Sequence, residues 1–199
     1  QPVSLGIVAM LSGLALVVAN TATQPGIAAA EQRDLQSSLE QVLPSGFASN
    51  DLVRDTILVS GGDGPPRTVY RARTAAGAIC GTVFQVSGRG YAGDINILIG
   101  LDRDGRLLGA RVIKHQETPG LGDKIESAKS RWIDDFAGKS LASPPPAQWA
   151  VKKDGGVFDQ FAGATITPRA VVKAVRQGLE FYAAHRAEIL NDSPKESTR

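Results

Sequence analysis

Apolar residues form one long run near the start of the chain, from Val3 to Ala19, without a single charge. A helix that spans a bilayer needs about 20 predominantly apolar residues, and about 17 is the lower limit. A cleaved secretory signal is the alternative, because its apolar region spans about 7–15 residues and Ala28-Ala29-Ala30 resembles a cleavage site. The length of the run favours a retained membrane anchor over residues 1–23. Because the first residue is Gln rather than Met, we expect that anchor to be truncated at its start.

Three later segments carry apolar residues at the spacing of an amphipathic helix. The first runs from Ala30 to Leu43, and the second runs from Ile125 to Phe136 with Ala128 and Trp132 on its apolar stripe. The third begins at Pro168, because proline suits the first turn of a helix, where its missing N–H is not needed. Its stripe consists of Val171, Val172, Val175, Leu179 and Tyr182. We expect all three stripes to face a core.

Five segments have the composition of β-strands and are separated by turn-forming residues. They cover residues 56–60, 68–73, 79–87, 94–101 and 106–114. The last two are joined by Asp102-Arg103-Asp104-Gly105, which predicts a hairpin with Gly in the left-handed position. These elements predict an α+β domain over residues 24–190, with a mainly antiparallel sheet and flanking helices. The polar residues 191–199 predict a disordered tail.

Composition and charge argue against several classes of function. The 22 basic and 20 acidic residues leave a net charge of +2, and no basic block contains interleaved aromatic residues, so nucleic-acid binding is not expected. Cys80 is the single cysteine and lies in an apolar strand-like segment, which favours a buried thiol over a nucleophile. His115 beside Glu117 would suit acid–base work, but a lone His at a strand end is more often structural. We expect neither a catalytic residue nor a metal site.

Two glycine-bearing loops each precede a predicted helix: His115 to Lys124, directly after the last strand, and Asp159 to Pro168. In the second loop, Thr167 immediately before Pro168 predicts a helix N-cap. Thr165 then lies just ahead of a helix N-terminus, which is a favourable position for a phosphate. A loop that merely leads into a capped helix is the simpler interpretation. If both loops face one cleft, a planar ligand with a phosphate tail would suit them.

The two loops contain motifs that resemble a known family. The motifs Glu117-Thr118-Pro119-Gly120-Leu121-Gly122 and Gly163-Ala164-Thr165-Ile166-Thr167 resemble the FMN-binding domain of two respiratory ion pumps. These pumps are the Rnf electron-transport complex, through its G subunit, and the sodium-translocating NADH:quinone reductase, through its C subunit. The resemblance covers roughly residues 90–183, and the short chain together with the run from Thr165 to Val172 favours the Rnf protein.

The resemblance implies that FMN is bound covalently, by a phosphoester that a flavin transferase forms on the hydroxyl of Thr165. It implies that the flavin site is lined by Glu117, Thr118, Pro119 and Leu121. The small residues Gly163 and Ala164 would let the phosphate and the transferase approach the backbone, and Thr167 would complete the site. Asp159 matches the Asp that usually precedes the motif and is implied in recognition by the transferase. Ala162 stands where the family usually has Ser or Thr.

The implied function is that of a tethered electron relay rather than an independent catalyst. The family implies a bacterial inner-membrane complex that moves electrons between ferredoxin and NAD with ion transport. This chain would be its single-pass subunit, with the FMN-binding domain on the periplasmic side and the other Rnf subunits as partners. One alternative is an FMN carrier like the C subunit of a sodium-translocating NADH:quinone reductase. Another is a non-covalent sensor of flavin or a small ligand.

Overall fold

The structure is a computed structural model that describes residues 34–61 and 65–192, and before them the helical residues Gly6, Met10, Ser12, Gly13 and Val17. The chain divides into two compact units, Gln1–Ser37 and Ser38–Arg199. Most of the predicted anchor, and the predicted tail beyond Asp192, lie outside the described residues. Within the described part of the chain, no helix has both the length and the apolar character needed to cross a membrane.

The larger unit is built on a five-stranded antiparallel sheet in which the strands follow one another in chain order. The strands are β1 (Thr56–Val59), β2 (Arg67–Arg73), β3 (Ile79–Arg89), β4 (Asp94–Asp102) and β5 (Leu107–Lys114). Each predicted strand is therefore present within one or two residues of its predicted bounds. The antiparallel sheet of the predicted α+β fold is confirmed.

The turn between β4 and β5 forms as its sequence predicts. Gly105 has a φ of 80°, in the left-handed region that favours glycine. The carboxylate of Asp102 accepts hydrogen bonds from the backbone N–H groups of Asp104 at 2.8 Å and Arg106 at 2.9 Å. This local side-chain bonding stabilises the turn and with it the register of the hairpin.

One long helix, α1 (Ile166–Ile189), packs on one face of the sheet. The whole predicted stripe of α1 is buried: Val171, Val172, Val175, Leu179 and Tyr182. Two glycines allow a close approach, because a Cβ on Gly88 of β3 would lie 2.7 Å from the carbonyl oxygen of Ala170, and one on Gly178 would lie 2.6 Å from Ile99. The sheet therefore holds the start of α1 in a defined position beside the end of β3.

The opposite face of the sheet is covered by the segment that follows the helical residues 34–40. Gly100 of β4 pairs with Gly109 of β5, and Cβ atoms on them would lie 2.5 and 2.8 Å from the carbonyl oxygen of Val42. The apolar stripe of this predicted helix consists of Leu35, Leu39 and Val42, of which Leu39 and Val42 are buried and Leu35 is half-buried. Of the predicted helix over residues 30–43, residues 30–33 lie outside the described ranges, residues 34–40 are helical, and residues 41–43 form a turn instead.

The predicted helix from Ile125 to Phe136 is wrong. The chain forms two short 3-10 helices instead, Asp123–Ile125 and Trp132–Phe136. Between them the hydroxyl of Ser130 donates to the carbonyl oxygen of Lys124 at 2.7 Å and accepts from the N–H of Trp132 at 3.2 Å. A serine side chain that bonds to nearby backbone groups competes with helical hydrogen bonds and here replaces them. The large apolar residues of the stripe are still buried, whereas Ala128 is exposed.

Candidate functional site

The two glycine-bearing loops face one cavity of about 320 Å³. The residues that line it are Tyr91, Glu117, Thr118, Leu121, Gly122, Gly163, Ala164, Thr165, Ile166 and Thr167. They come from the β3–β4 turn, from the loop after β5 and from the segment that enters α1. Residues of both loops can therefore contact the same ligand.

Glu117 is the polar centre of this arrangement. It lies three residues beyond β5 and is only 4% exposed. Its Oε1 accepts a hydrogen bond from the N–H of Ala92 at 3.0 Å, and its Oε2 accepts one from the hydroxyl of Thr167. A buried carboxylate requires such partners, because removing it from water without hydrogen bonds is costly. Glu117 therefore joins the β3–β4 turn, its own loop and the first turn of α1.

Glycines on two sides make room for the Glu117 carboxyl group. A side chain on Gly90 would collide with Oε1 of Glu117. A Cβ on Gly122 would lie 2.9 Å from the Cβ of Glu117 and 3.0 Å from the Thr167 hydroxyl oxygen. The second glycine of the Glu117 motif thus has a packing role, in addition to any contact with a ligand.

His115 shapes the loop rather than the cavity, whose lining does not include it. Its Nδ1 accepts the backbone N–H of Glu117 at 3.1 Å, and its Nε2 lies 2.9 Å from Oε1 of Glu126. Since Nδ1 is an acceptor, this bonding assigns the ring proton to Nε2, which donates to Glu126. Both ring nitrogens are therefore engaged in holding the loop, as the structural interpretation of a lone His at a strand end predicts.

In the turn after Glu117, some residues line the cavity and others do not. The carbonyl oxygen of Thr118 accepts the N–H groups of Leu121 at 3.2 Å and Gly122 at 3.1 Å, and Gly120 between them has a φ of 79°. Thr118 and Leu121 line the cavity, and Leu121 is 41% exposed. Pro119 is exposed and lies outside the lining, where its fixed φ suits the turn.

The prediction that Thr167 caps the helix is wrong. The helix begins at Ile166, two residues before Pro168, and the flanking residue Thr165 makes no side-chain cap bond. Thr167 lies inside the first turn, is 1% exposed and donates its hydroxyl to Glu117 instead. Pro168 follows in the same turn, where the N–H that it lacks would have no intrahelical partner. The capping prediction considers only neighbouring residues, whereas the hydroxyl of Thr167 bonds to a buried carboxylate 50 residues away.

Thr165 and Thr167 therefore differ in accessibility. Thr165 is exposed at the cavity, directly before the N-terminus of a 24-residue helix, where unpaired N–H groups and the helix dipole favour an anion. Gly163 precedes it with a φ of 81°, and a Cβ there would lie 3.0 Å from Leu121. Ala164 also lines the cavity. Of the two hydroxyls, the one that reaches solvent belongs to Thr165.

Asp159 lies outside the cavity lining and anchors the loop through its backbone. Its carbonyl oxygen accepts the indole N–H of Trp132 at 2.8 Å, while its carboxylate pairs with Lys152 at 2.6 Å. The ring of Trp132 meets that of Phe161 edge to face, with centroids 5.1 Å apart. The segment that leads to Thr165 is thus fixed by aromatic packing.

Two arginines in the first half of α1 are paired within the protein. Arg169 makes a two-pronged contact with Asp154, at 2.6 and 2.7 Å. Arg176 pairs with Glu180 at 2.9 Å, one turn along the helix. The charges of these two arginines are thus balanced locally, whereas the N–H groups at the N-terminus of α1 remain suited to an anion at Thr165.

Cys80 is half-buried, its Sγ lies 3.3 Å from the carbonyl oxygen of Ala72, and burial raises the pKa of its thiol, so it is a poor nucleophile.

Tyr91 lines the cavity, although it was not predicted as a site residue. It lies in the β3–β4 turn and is 70% exposed. The available signal was an aromatic residue in a glycine-flanked turn, Gly90-Tyr91-Ala92-Gly93.

The sequence of the chain is similar to those of known proteins. Residues 90–180 match the FMN-binding domain family. The G subunit of the ion-translocating oxidoreductase complex from Cereibacter sphaeroides is 49% identical over 193 residues, which cover 97% of this chain and 88% of that protein. The protein of the same name from Stutzerimonas stutzeri is 52% identical over 183 residues, which cover 92% and 80%.

Two crystal structures are similar in fold. The C subunit of the Na⁺-translocating NADH-quinone reductase from Parabacteroides distasonis aligns with a TM-score of 0.56 over 82% of this chain and 94% of its own. NqrC from Shewanella oneidensis aligns with a TM-score of 0.50 over 73% and 72%. Each is 21% identical to this chain, so the likeness concerns the fold alone.

Proposed function

Because this chain belongs to the G-subunit family of the ion-translocating oxidoreductase (Rnf) complexes, we propose that it is an electron-relay subunit that carries FMN covalently on Thr165. The observation that carries the proposal is the contrast between two hydroxyls. That of Thr165 is exposed at the cavity, whereas that of Thr167 is buried and donated to Glu117. A modifying enzyme reaches the first and not the second.

The residues at the cavity fit FMN. A volume of about 320 Å³ falls in the range of small-ligand pockets, which is about 300–1,000 Å³. The N-terminus of α1 beside Thr165 suits the phosphate, since it offers N–H groups and a favourable dipole. The exposed apolar side chains of Tyr91, Leu121 and Ile166 suit an aromatic ring system.

Attachment is a phosphoryl-transfer step. Oγ1 of Thr165 would bond to the phosphorus in the FMN half of a phosphoanhydride donor, and the bond from that phosphorus to the bridging oxygen of the donor would break. The threonine loses its proton to a base of the transferase or to water, and the leaving phosphate takes the bonding electrons. Because Thr165 makes no cap bond in α1, its side chain is available for this reaction. We propose that Asp159 contributes to recognition by the transferase.

When bound, FMN supplies one- and two-electron redox chemistry. The protein contributes position: Glu117 joins the three segments around the cavity through its hydrogen bonds with Ala92 and Thr167. A relay benefits from such a frame, because electron transfer then requires little rearrangement of the protein.

The cellular setting extends the same proposal. The related proteins belong by name to an ion-translocating oxidoreductase complex. We therefore propose that this chain is held in the bacterial inner membrane by residues 1–23, with its FMN-binding domain on the periplasmic side. Its partners would be the other Rnf subunits, and the flavin transferase during maturation. In that complex the electrons pass between ferredoxin and NAD.

Intact-mass measurement of the full chain, produced with and without a flavin transferase, tests the attachment. We expect the wild type to gain the mass of one FMN joined through its phosphate. Thr165→Ser, which keeps a hydroxyl, should gain the same mass, and Thr165→Ala should not. Thr167→Ser should be loaded like the wild type, because serine can still donate to Glu117. An adduct that persists on Thr165→Ala would refute the assignment of the acceptor.

A further inference from the structure

Tyr91 is an aromatic side chain exposed at the tip of a hairpin. The turn Gly90-Tyr91-Ala92-Gly93 joins β3 to β4 and is closed by a hydrogen bond from the N–H of Gly90 to the carbonyl oxygen of Gly93, at 2.8 Å. Tyr91 is 70% exposed, yet it lines the cavity that contains Thr165. It is the one aromatic residue among those described as lining that cavity. A large apolar surface held at a cavity mouth is typical of a ligand contact.

The backbone that carries Tyr91 is fixed. The N–H of the next residue, Ala92, donates to Oε1 of Glu117 at 3.0 Å. Glycine on both sides lets the turn lie against the neighbouring loop, since a Cβ on Gly93 would lie 2.9 Å from the side-chain oxygen of Gln116. The tip of the hairpin is thereby tied to the same carboxylate that binds Thr167. Exposure of the ring therefore does not arise from a loose loop.

The cavity is lined by both polar and apolar groups. Thr165 and the N-terminus of α1 form a polar end that suits a phosphate. Three exposed apolar side chains come from three different segments: Tyr91 from the hairpin, Leu121 from the loop after β5 and Ile166 from the first residue of α1. A ligand whose phosphate is held at Thr165 therefore has exposed apolar side chains within the same cavity to contact.

We propose that Tyr91 stacks against the isoalloxazine ring of the FMN carried by Thr165 and positions that ring at the mouth of the cavity. The inference rests on the proposed function and adds a ring contact to it. Aromatic pairs in a stacked or edge-to-face arrangement are favourable beyond the area that they bury. Tyr91 acts here as a positioning residue: the tether restricts the phosphate, and the stacking restricts the ring.

Fluorescence anisotropy of the flavin, measured on the full chain loaded by a flavin transferase, tests the contact. In the wild type and in Tyr91→Phe, which keeps an aromatic ring, the flavin should rotate with the protein. In Tyr91→Leu the ratio of restricted to freely rotating flavin should fall about two- to tenfold, which is the contribution of one aromatic pair. Leu58→Ala is the matched control, because Leu58 is 61% exposed on β1 and does not line the cavity.

A second arm adds free FMN to unloaded Thr165→Ala protein, with and without Tyr91→Leu, so that ring contact is measured without the tether. Anisotropy that is the same with Tyr and Leu at position 91 in both arms would overturn the stacking. An adduct present on the wild type but absent from Tyr91→Leu would also overturn it, because Tyr91 would then act in attachment.

Failure of the proposed function is distinguishable: the wild type would lack the adduct mass, while the anisotropy of added FMN would still depend on Tyr91. If FMN binds in neither arm, both proposals fall.

Discussion

Glu117 and Thr167 are 50 residues apart in the chain, and the carboxylate of the first accepts a hydrogen bond from the hydroxyl of the second. Both side chains are nearly inaccessible to solvent, at 4% and 1% exposure. The bond connects the loop after β5 to the first turn of α1 across one wall of the cavity. It also makes the Thr167 hydroxyl inaccessible, so that of Thr165 and Thr167 only Thr165 is exposed.

Replacing Thr167 with valine should therefore lower both stability and FMN loading. Valine has the shape of threonine but leaves Oε2 of Glu117 buried without a donor, which costs about 1–3 kcal/mol. Urea unfolding of the full chain would measure the loss, and intact mass would measure the loading. Thr167→Ser is the matched control, because it keeps the donor. If the valine variant is as stable as the wild type, the hydrogen bond does not organise the site.

Gly163→Ala should impair attachment at Thr165 through the backbone. Its φ of 81° is unfavourable for alanine by about 1–2 kcal/mol, and the new Cβ would lie 3.0 Å from Leu121. Gly77→Ala is a matched control: its φ is 85°, but a Cβ there has no neighbour within 4 Å. Both variants should lose similar stability in urea unfolding, and only Gly163→Ala should lose loading measured by intact mass. Equal loading of the two would show that the backbone at position 163 does not govern access to Thr165.

The strands of this fold could be predicted because the signals that define them are local. Gly and Pro separate the apolar runs, the side chain of Asp102 bonds to the backbone of the β4–β5 turn, and Gly105 adopts the positive φ of that turn. The stripe of α1 is equally legible, because apolar spacing alone specifies which face is buried. The prediction of a helix from Ile125 to Phe136 was wrong, because the side chain of Ser130 bonds to backbone groups on either side of it. Apolar spacing does not reveal such bonds.

The site was predictable only as far as its motifs are. The two loops could be identified from their glycines and hydroxyls, but the cap role given to Thr167 ignored a partner 50 residues away. Tyr91 was missed because its position at the cavity depends on the bond between Ala92 and Glu117, which links two separate loops. Long-range pairing of polar groups leaves no periodic pattern in a sequence, and it decides which side chains face the ligand.

Acid should weaken the protein through Asp55, which lies away from the cavity. Burial alone would raise the pKa of this carboxyl group, but hydrogen bonds from Arg73 and Arg71, together with their charges, lower it below its ordinary value of 3.8. A carboxyl group with a lowered pKa in the folded state stabilises the protein above its unfolded pKa, and that contribution is lost as the pH falls through the folded value. The free energy of unfolding should therefore decline below about pH 4.

Asp55→Asn isolates this effect. At pH 7 the variant should be less stable by about 1–3 kcal/mol, because Arg71 loses its pair with a carboxylate and Arg73 keeps only its pair with Asp192. The difference from the wild type should shrink as the pH falls below about 4, since both chains then lack the charge. Urea unfolding between neutral and acidic pH measures both quantities. Asp94→Asn serves as the control, because its pair with Arg89 is exposed and contributes little. A difference that stays constant with pH would contradict the assigned role.

His115 should act through its Nδ1, which accepts the N–H of Glu117 at 3.1 Å. An asparagine at position 115 can offer its side-chain oxygen to the N–H two residues on, whereas phenylalanine cannot. We therefore expect His115→Asn to keep the loop and His115→Phe to leave the N–H of Glu117 without this acceptor, at a cost of about 1–3 kcal/mol. Hydrogen exchange of the Glu117 amide measures the bond directly, and intact mass measures the effect on FMN loading. Exchange should be faster in the phenylalanine variant than in the asparagine variant. If both variants exchange at the rate of the wild type, His115 does not hold the loop, and the acceptor geometry has no consequence for the site.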